Sequence, residues 1–204
     1  YDRCVACGQC LVSCPFGAIV DKSQIYQVIR AILEEKSVVA IVAPSFVGQF
    51  GKDVTVPKFV AAMKQLGFSG VVEVAAGADI CAIEEARDFL EKVPAEQKFL
   101  ATSCCPSWRM MARRLFPAES GNISMTYTPM VYTARLVKKE HPNSKVVFIG
   151  PCAAKKLEAM QDDIRTDVDF VLTYEELMGI FEAKEINFST LPDSPDLDEG
   201  TRAG

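Results

Sequence analysis

Apolar and polar positions along this chain switch between two periods, and the switches lay out an order of strands and helices. Ser37 to Ala43 is a nearly continuous apolar run that stops at Pro44-Ser45, which predicts a strand buried on both faces and then a loop. Phe59, Val60, Met63 and Leu66 fall on one face at helical spacing, and Val71 to Val74 reads as the next short strand. A helix is expected from Asp79 to Lys92, and Phe99 to Thr102 reads as a strand entering Ser103-Cys104-Cys105-Pro106. Trp108, Met111, Ala112 and Leu115 mark another amphipathic helix, and Pro129 opens a helical stretch to Glu140. Lys145 to Ile149 is a β-branched and aromatic run that stops at Gly150-Pro151-Cys152, and Val168 to Leu172 is the last expected strand. Thr173-Tyr174-Glu175-Glu176 has the form of a capping box, so a final helix should run to about Ala183.

This alternation predicts an α/β fold, a mainly parallel sheet flanked by helices. Functional residues of such a sheet sit at the carboxyl ends of its strands. Three expected strands end in Pro44-Ser45, Cys104-Cys105 and Pro151-Cys152, so chemistry should converge there.

The first residues follow neither period. Cys4, Cys7, Cys10 and Cys14, closed by Pro15, have the spacing of the bacterial ferredoxin ligand run for 4Fe–4S clusters. Gly8 lets the backbone pass close to such a cluster. Zinc knuckles and disulfides use the same residue type, but zinc sites separate two cysteine pairs by a longer stretch. The chain then divides into residues 1–36, an incomplete ferredoxin-like segment; 37–188, an α/β lobe; and 189–204, a Pro-, Asp- and Gly-rich linker.

Composition narrows the function. A net charge of −5 and the lack of a basic run with interleaved aromatics argue against a nucleic-acid partner. No apolar stretch reaches the ~18 residues of a spanning helix, and the N-terminus lacks the charged and apolar regions of a signal peptide. Eight cysteines without a secretion signal point to a reducing, cytoplasmic setting.

Cys104 and Cys105 are adjacent, and on a strand successive side chains point to opposite sides, so their roles should differ. One thiol can ligate a metal while the other gives and takes protons. Two small buried hydrophobes would read the same way. Cys81, Glu85 and Asp88 share one stripe of a helix, which by itself describes acids on a solvated face.

Thr102-Ser103-Cys104-Cys105-Pro106-Ser107-Trp108 and Pro151-Cys152-Ala153-Ala154-Lys155-Lys156-Leu157-Glu158 resemble the first two signature motifs of [FeFe]-hydrogenases. Cys4-Val5-Ala6-Cys7-Gly8-Gln9-Cys10 resembles the end of the ferredoxin module that precedes their catalytic domain. The resemblance covers nearly the whole chain in order and spacing. It implies that Cys105 and Cys152 are two of four thiolates holding the H-cluster, a cubane joined to a diiron unit. Cys104 is similar to the thiol that passes a proton to the diiron unit's bridging amine, and Lys155 to the lysine that binds a cyanide ligand. Pro44 and Ser45 resemble the loop residues that close over the diiron ligands. Glu85 and Asp88 match the family's two relay carboxylates and Ser124 its intervening hydroxyl, so protons would run from Asp88 through Ser124 and Glu85 to Cys104.

Several positions depart from the pattern. Gly150 stands where the active enzymes usually carry methionine, Met130 where glutamine is frequent, and Tyr127 where lysine is usual. Asp88 is shorter than the usual glutamate. Such losses would open the pocket and retune the cluster. No cysteine follows Cys152 to supply the other two ligands, and the partner ligands of Cys14 would lie before Tyr1. The chain therefore reads as truncated at both ends, inactive alone, and dependent on a downstream lobe or partner chain. The expected parent is an enzyme that reversibly reduces protons to H2 with a ferredoxin-like electron carrier. A hydrogen or redox sensor, favoured by Gly150, and a non-catalytic cluster-assembly protein, disfavoured by Cys104 and Lys155, are the other readings. His141 reads as a helix terminator, and Arg109, Arg113 and Arg114 as the wet face of their helix.

Overall fold

The structure is a computed structural model that describes residues 3–34 and 37–192. The expected linker therefore lies mostly outside the described residues, which end just past a 3-10 turn at Phe188–Thr190.

Four strands form one sheet: β1 (Val38–Val42), β2 (Gly70–Glu73), β3 (Lys145–Gly150) and β4 (Phe170–Thr173). Their spatial order is β2-β1-β3-β4 and every pair is parallel. All five residues of β1 are buried, as expected for a strand covered on both faces. The side-chain alternation of the pleat then sorts β1 between two cores. Val38, Ala40 and Val42 join Phe59, Val60 and Met63 of α3 (Val56–Leu66), Val28 of α2 (Ile25–Glu34), and Leu177 and Phe181 of α8 (Tyr174–Ala183). Val39 and Ile41 face the other way, toward Met130, Val131, Ala134 and Val137 of α6 (Pro129–Glu140).

After a single-turn helix α1 (Gln9–Val12) and α2, the chain crosses from β1 to β2 through α3, and from β3 it crosses to β4 in the opposite direction through a short helix, α7 (Ala154–Glu158). The strand order thus reverses between β1 and β3. A crevice must open beyond their carboxyl ends, because the loops leaving them diverge.

The Thr173 capping box is present: the Thr173 side chain accepts from the Glu176 N–H and Glu176 reaches back to the Thr173 N–H. His141 ends α6 as an exposed residue. Three expectations need correction. Phe99 to Thr102 is not a strand of the sheet but holds a single parallel bridge, Ala101 to Ile123. Ala101 exchanges both of its backbone hydrogen bonds with Asn122 and Ser124, each 2.8 Å, so it pairs with that segment and not with a strand of the sheet, and Phe99 stays 44% exposed outside the core. The helix expected from Asp79 begins one turn earlier, at Ala75, and runs to Lys92 (α4). In the helix Pro106–Leu115 (α5), Pro106, Ser107 and Ala112 are buried, whereas Met111 and Leu115 are exposed; the small residues, not the large apolar ones, face the body.

Candidate metal centre

The crevice is a cavity of about 240 Å³ walled by Pro44 and Ser45 after β1, Pro151, Cys152 and Lys155 after β3, and Cys104 from the loop before α5. Val74, Ala78, Met130 and Phe148 make its remaining walls mainly apolar. Pro44–Phe46 is a single 3-10 turn, and the Ala43 N–H donates to the Ile149 carbonyl (2.9 Å), so the β1 loop is tied to β3. Pro44, Ser45, Cys104, Cys152 and Lys155 were all expected at this site, and the fold brings them to one cavity.

Cys104 and Cys105 do differ, though not through strand alternation. Cys105 is the N-cap of α5, where its Sγ accepts the Trp108 N–H at 3.4 Å, while Cys104 lines the cavity. The loop carrying both is pinned by buried Ser103, whose hydroxyl donates to the Ser124 carbonyl at 2.8 Å. Lys155 Nζ donates to Glu158 Oε2 (2.6 Å) and to the Cys104 carbonyl (3.0 Å). Glu158 is 1% exposed, so the lysine charge is fixed beside the cavity by a buried counter-charge.

The space over Gly150 is not open. A Cβ built there would lie 2.5 Å from Cε1 of Phe148, whose buried ring forms part of the cavity wall. The pocket expected to widen for lack of a methionine is closed by an aromatic residue two positions earlier on the same face of β3.

On α4, the Cys81 thiol is buried and donates to the Tyr127 carbonyl at 3.4 Å. Burial raises it to about 11, the charges of Glu85 and Cys104 push the same way, and Lys155 opposes them. These four groups therefore share one electrostatic neighbourhood. Glu85 is half-buried on α4. Asp88 turns to Lys92 of its own helix (3.1 Å). Ser124 is 1% exposed and its Oγ accepts the Thr126 N–H at 3.2 Å. Ser124 thus touches the Cys104 loop through Ser103, and Glu85 shares the neighbourhood of Cys81 and Cys104, whereas Asp88 is engaged with Lys92 along its own helix.

The N-terminal thiols sit in a different setting. Ala6 and Gly8 take left-handed backbone conformations (φ 57° and 80°), which curl the loop so that the Ala6 N–H donates to Cys4 Sγ at 3.4 Å. Backbone N–H groups of Phe16 and Ala18 lead those that pull the Cys14 thiol below its ordinary range. Cys4, Cys7 and Cys10 are exposed, and every cysteine is a free thiol. Among the described residues no three Cys, His, Asp or Glu side chains converge on a common point. The donors nonetheless fit an iron–sulfur group in kind: reduced sulfurs, several already accepting backbone N–H bonds, of the sort that stabilise thiolate. Arg113 and Arg114 are not simply a wet face. With Arg109 they line a cavity of about 380 Å³ shared with Val5 and Ala6, and Arg114 donates to the Cys4 carbonyl at 2.6 Å.

The family description "Iron only hydrogenase large subunit, C-terminal domain" matches residues 36–204. The chain belongs to the iron-only hydrogenase family. Residues 1–20 match the 4Fe-4S binding domain, so the family's domain is preceded here by an iron–sulfur-binding segment. Iron hydrogenase 1 of Clostridium pasteurianum is 33% identical over 93% of this chain and 37% of its own length. The NADP-reducing hydrogenase subunit HndD of Solidesulfovibrio fructosivorans is 31% identical over the same shares. A cytosolic Fe-S cluster assembly factor of Meyerozyma guilliermondii is 26% identical over 91% of this chain and 40% of its own. A solved variant of the [FeFe]-hydrogenase HydA1 from Chlamydomonas reinhardtii superposes with a TM-score of 0.77 at 26% identity, covering 90% of this chain and 53% of that one. The chain spans between about a third and a half of the length of these relatives. No helix among the described residues is long and apolar enough to cross a membrane.

Sequence reasoning did not single out Phe148, Glu158 or Tyr174, all of which shape this site. Glu158 carried a signal, being three residues from Lys155 on a helix. Phe148 and Tyr174 carried none, because their contacts depend on which strands are neighbours.

Proposed function

We propose that this chain is the cluster-bearing half of an iron–sulfur oxidoreductase that, as a complete protein, reversibly combines two protons and two electrons into H2. The observation that carries this reading is the single cavity at the β1 and β3 ends that collects Cys104, Cys152, Lys155, Pro44 and Ser45. Cys105 and Cys152 would hold the cubane of the H-cluster, Cys4, Cys7 and Cys10 would be ligands of the 4Fe–4S cluster of residues 1–36, and Cys14 would be a ligand of a second cubane. When bound, the diiron group supplies the metal at which protons and electrons meet.

The chain's own residues prepare that chemistry. Apolar Met130, Phe148 and Val74 exclude water and strengthen charge effects in the cavity. Lys155 holds a fixed positive charge there, suited to an anionic ligand. Cys104 offers a thiol proton at the cavity wall, to be replenished from Asp88 through Ser124 and Glu85. Electrons would enter from a ferredoxin-like carrier through residues 1–36. The reduced thiols suit a cytoplasmic protein.

The test is H2 turnover by the full-length protein matured with the diiron unit and supplied with reduced carrier. Cys104→Ser should lower that rate by about 10²-fold or more while iron content is unchanged, the scale of losing a positioned acid. An unaltered rate would remove Cys104 from the proton path. A second reading is favoured by the relatives named as cluster assembly factors: a non-catalytic iron–sulfur protein. Matured protein that binds iron but makes no H2 would support it. Slow turnover coupled to a change in a partner domain would instead support a sensor, the reading that Gly150 favours.

A further inference from the structure

A phenol from the far side of the sheet reaches the cavity loop. Tyr174 opens α8, is 4% exposed, and packs edge-on against Phe50 (centroids 5.9 Å, 77°) in the core opposite the cavity. Its hydroxyl passes the end of β3 and lies 3.0 Å from the Ala43 carbonyl oxygen and 2.8 Å from Ser45 Oγ. A phenol has one proton and a carbonyl has none. The Ala43 oxygen can therefore meet Tyr174 only as an acceptor, which places the Tyr174 proton on that line. The 2.8 Å contact is then made by the proton of Ser45. The opposite assignment would set the lone pairs of Tyr174 and the Ala43 carbonyl face to face at 3.0 Å. Burial holds the Tyr174 phenol at about 12, so it keeps its proton at ordinary pH.

We infer that Tyr174 is a positioning residue that commits the Ser45 proton, so that Ser45 meets an occupant of the cavity only as a hydrogen-bond acceptor. The cavity is thereby polarised. Lys155 has three N–H donors, of which Glu158 and the Cys104 carbonyl take two, and it presents the third. Anionic ligand atoms belong on the Lys155 side, and a donor, an amine N–H or a water, belongs against Ser45.

Neutron diffraction from deuterium-exchanged crystals of this chain tests the polarity directly, whatever the cavity binds. A Ser45 deuteron directed at the Tyr174 oxygen is expected; a Tyr174 deuteron directed at Ser45 Oγ overturns the inference. The functional arm rests on the proposed function and uses full-length protein carrying the diiron group. Tyr174→Phe keeps the ring and frees the serine, so it should shift an infrared cyanide band. Ser45→Ala should move the bands less when Tyr174 is present than in the Tyr174→Phe background, where it should cancel the shift. Equal Ser45→Ala shifts in both backgrounds would show that Ser45 donates despite Tyr174. Protein that never acquires these bands would count against the proposed function, while the neutron map still decides the polarity.

Discussion

Cys81 is buried beside Glu85 and Cys104 and holds its proton to about 11, above the ordinary 9.0. The unfolded chain loses that proton near 9.0 and the folded chain near 11, so protons favour the folded state across this window. The contribution is complete below pH 9 and drains away as pH rises toward 11. Urea midpoints on either side of the window should fall more steeply for the wild type than for Cys81→Ala; equal slopes would show that the thiol does not titrate in this way. The same residue scale explains Gly150. Its identity was legible as a departure from the hydrogenase pattern, but its consequence was not, because the Phe148 ring that closes the space belongs to the fold and not to the motif.

At the scale of elements, the packing of α4 on α6 governs where the Cys81 stripe sits. A Cβ at Gly77 would strike Thr133 Oγ1 and the Pro129 carbonyl, and the Thr133 hydroxyl itself donates to that carbonyl at 2.8 Å. Gly77→Ala should therefore destabilise the protein by roughly 1–3 kcal/mol, read from urea unfolding, as overpacking in a filled core does. The one-turn extension of α4 toward Ala75 has the same origin. The N–H groups of Gly77 and Ala78 both donate to the Val74 carbonyl, a start that the missing side chain at Gly77 permits against α6. Four strands and most helices were legible because their apolar runs are buried on the faces the period assigns. The Phe99 to Thr102 segment misled because a short apolar run says nothing about its partner, and Asn122 and Ser124 took the backbone groups of Ala101.

For the whole molecule, the question is what keeps the cysteine-bearing segment against the body. Lys156, 8% exposed, joins Asp21 Oδ2 (2.5 Å), Glu176 Oε1 (2.9 Å) and the Lys22 carbonyl (3.3 Å), and the Val171 N–H of β4 donates to Gln24 Oε1 at 2.8 Å. Residues 21–24 are thus fastened to β4 and to the capping box of α8. Lys156→Met should cost about 3 kcal/mol by stranding two carboxylates, at the low end of the usual scale because Asp21 retains access to water. Limited proteolysis should then cut residues 9–24 faster than the α/β lobe; equal protection would show that Lys156 is not the fastening. The sequence by itself determined the parallel α/β order, the cysteine spacing and the identity of the motif residues, because each is encoded in local period or in contiguous residues. Only the tertiary structure decided that Phe148 fills the room over Gly150, that Lys156 fastens the N-terminal segment, and that Tyr174 reaches Ser45. Those contacts join residues from separate segments, and their existence depends on the strand order that brings the ends of β1, β3 and β4 together.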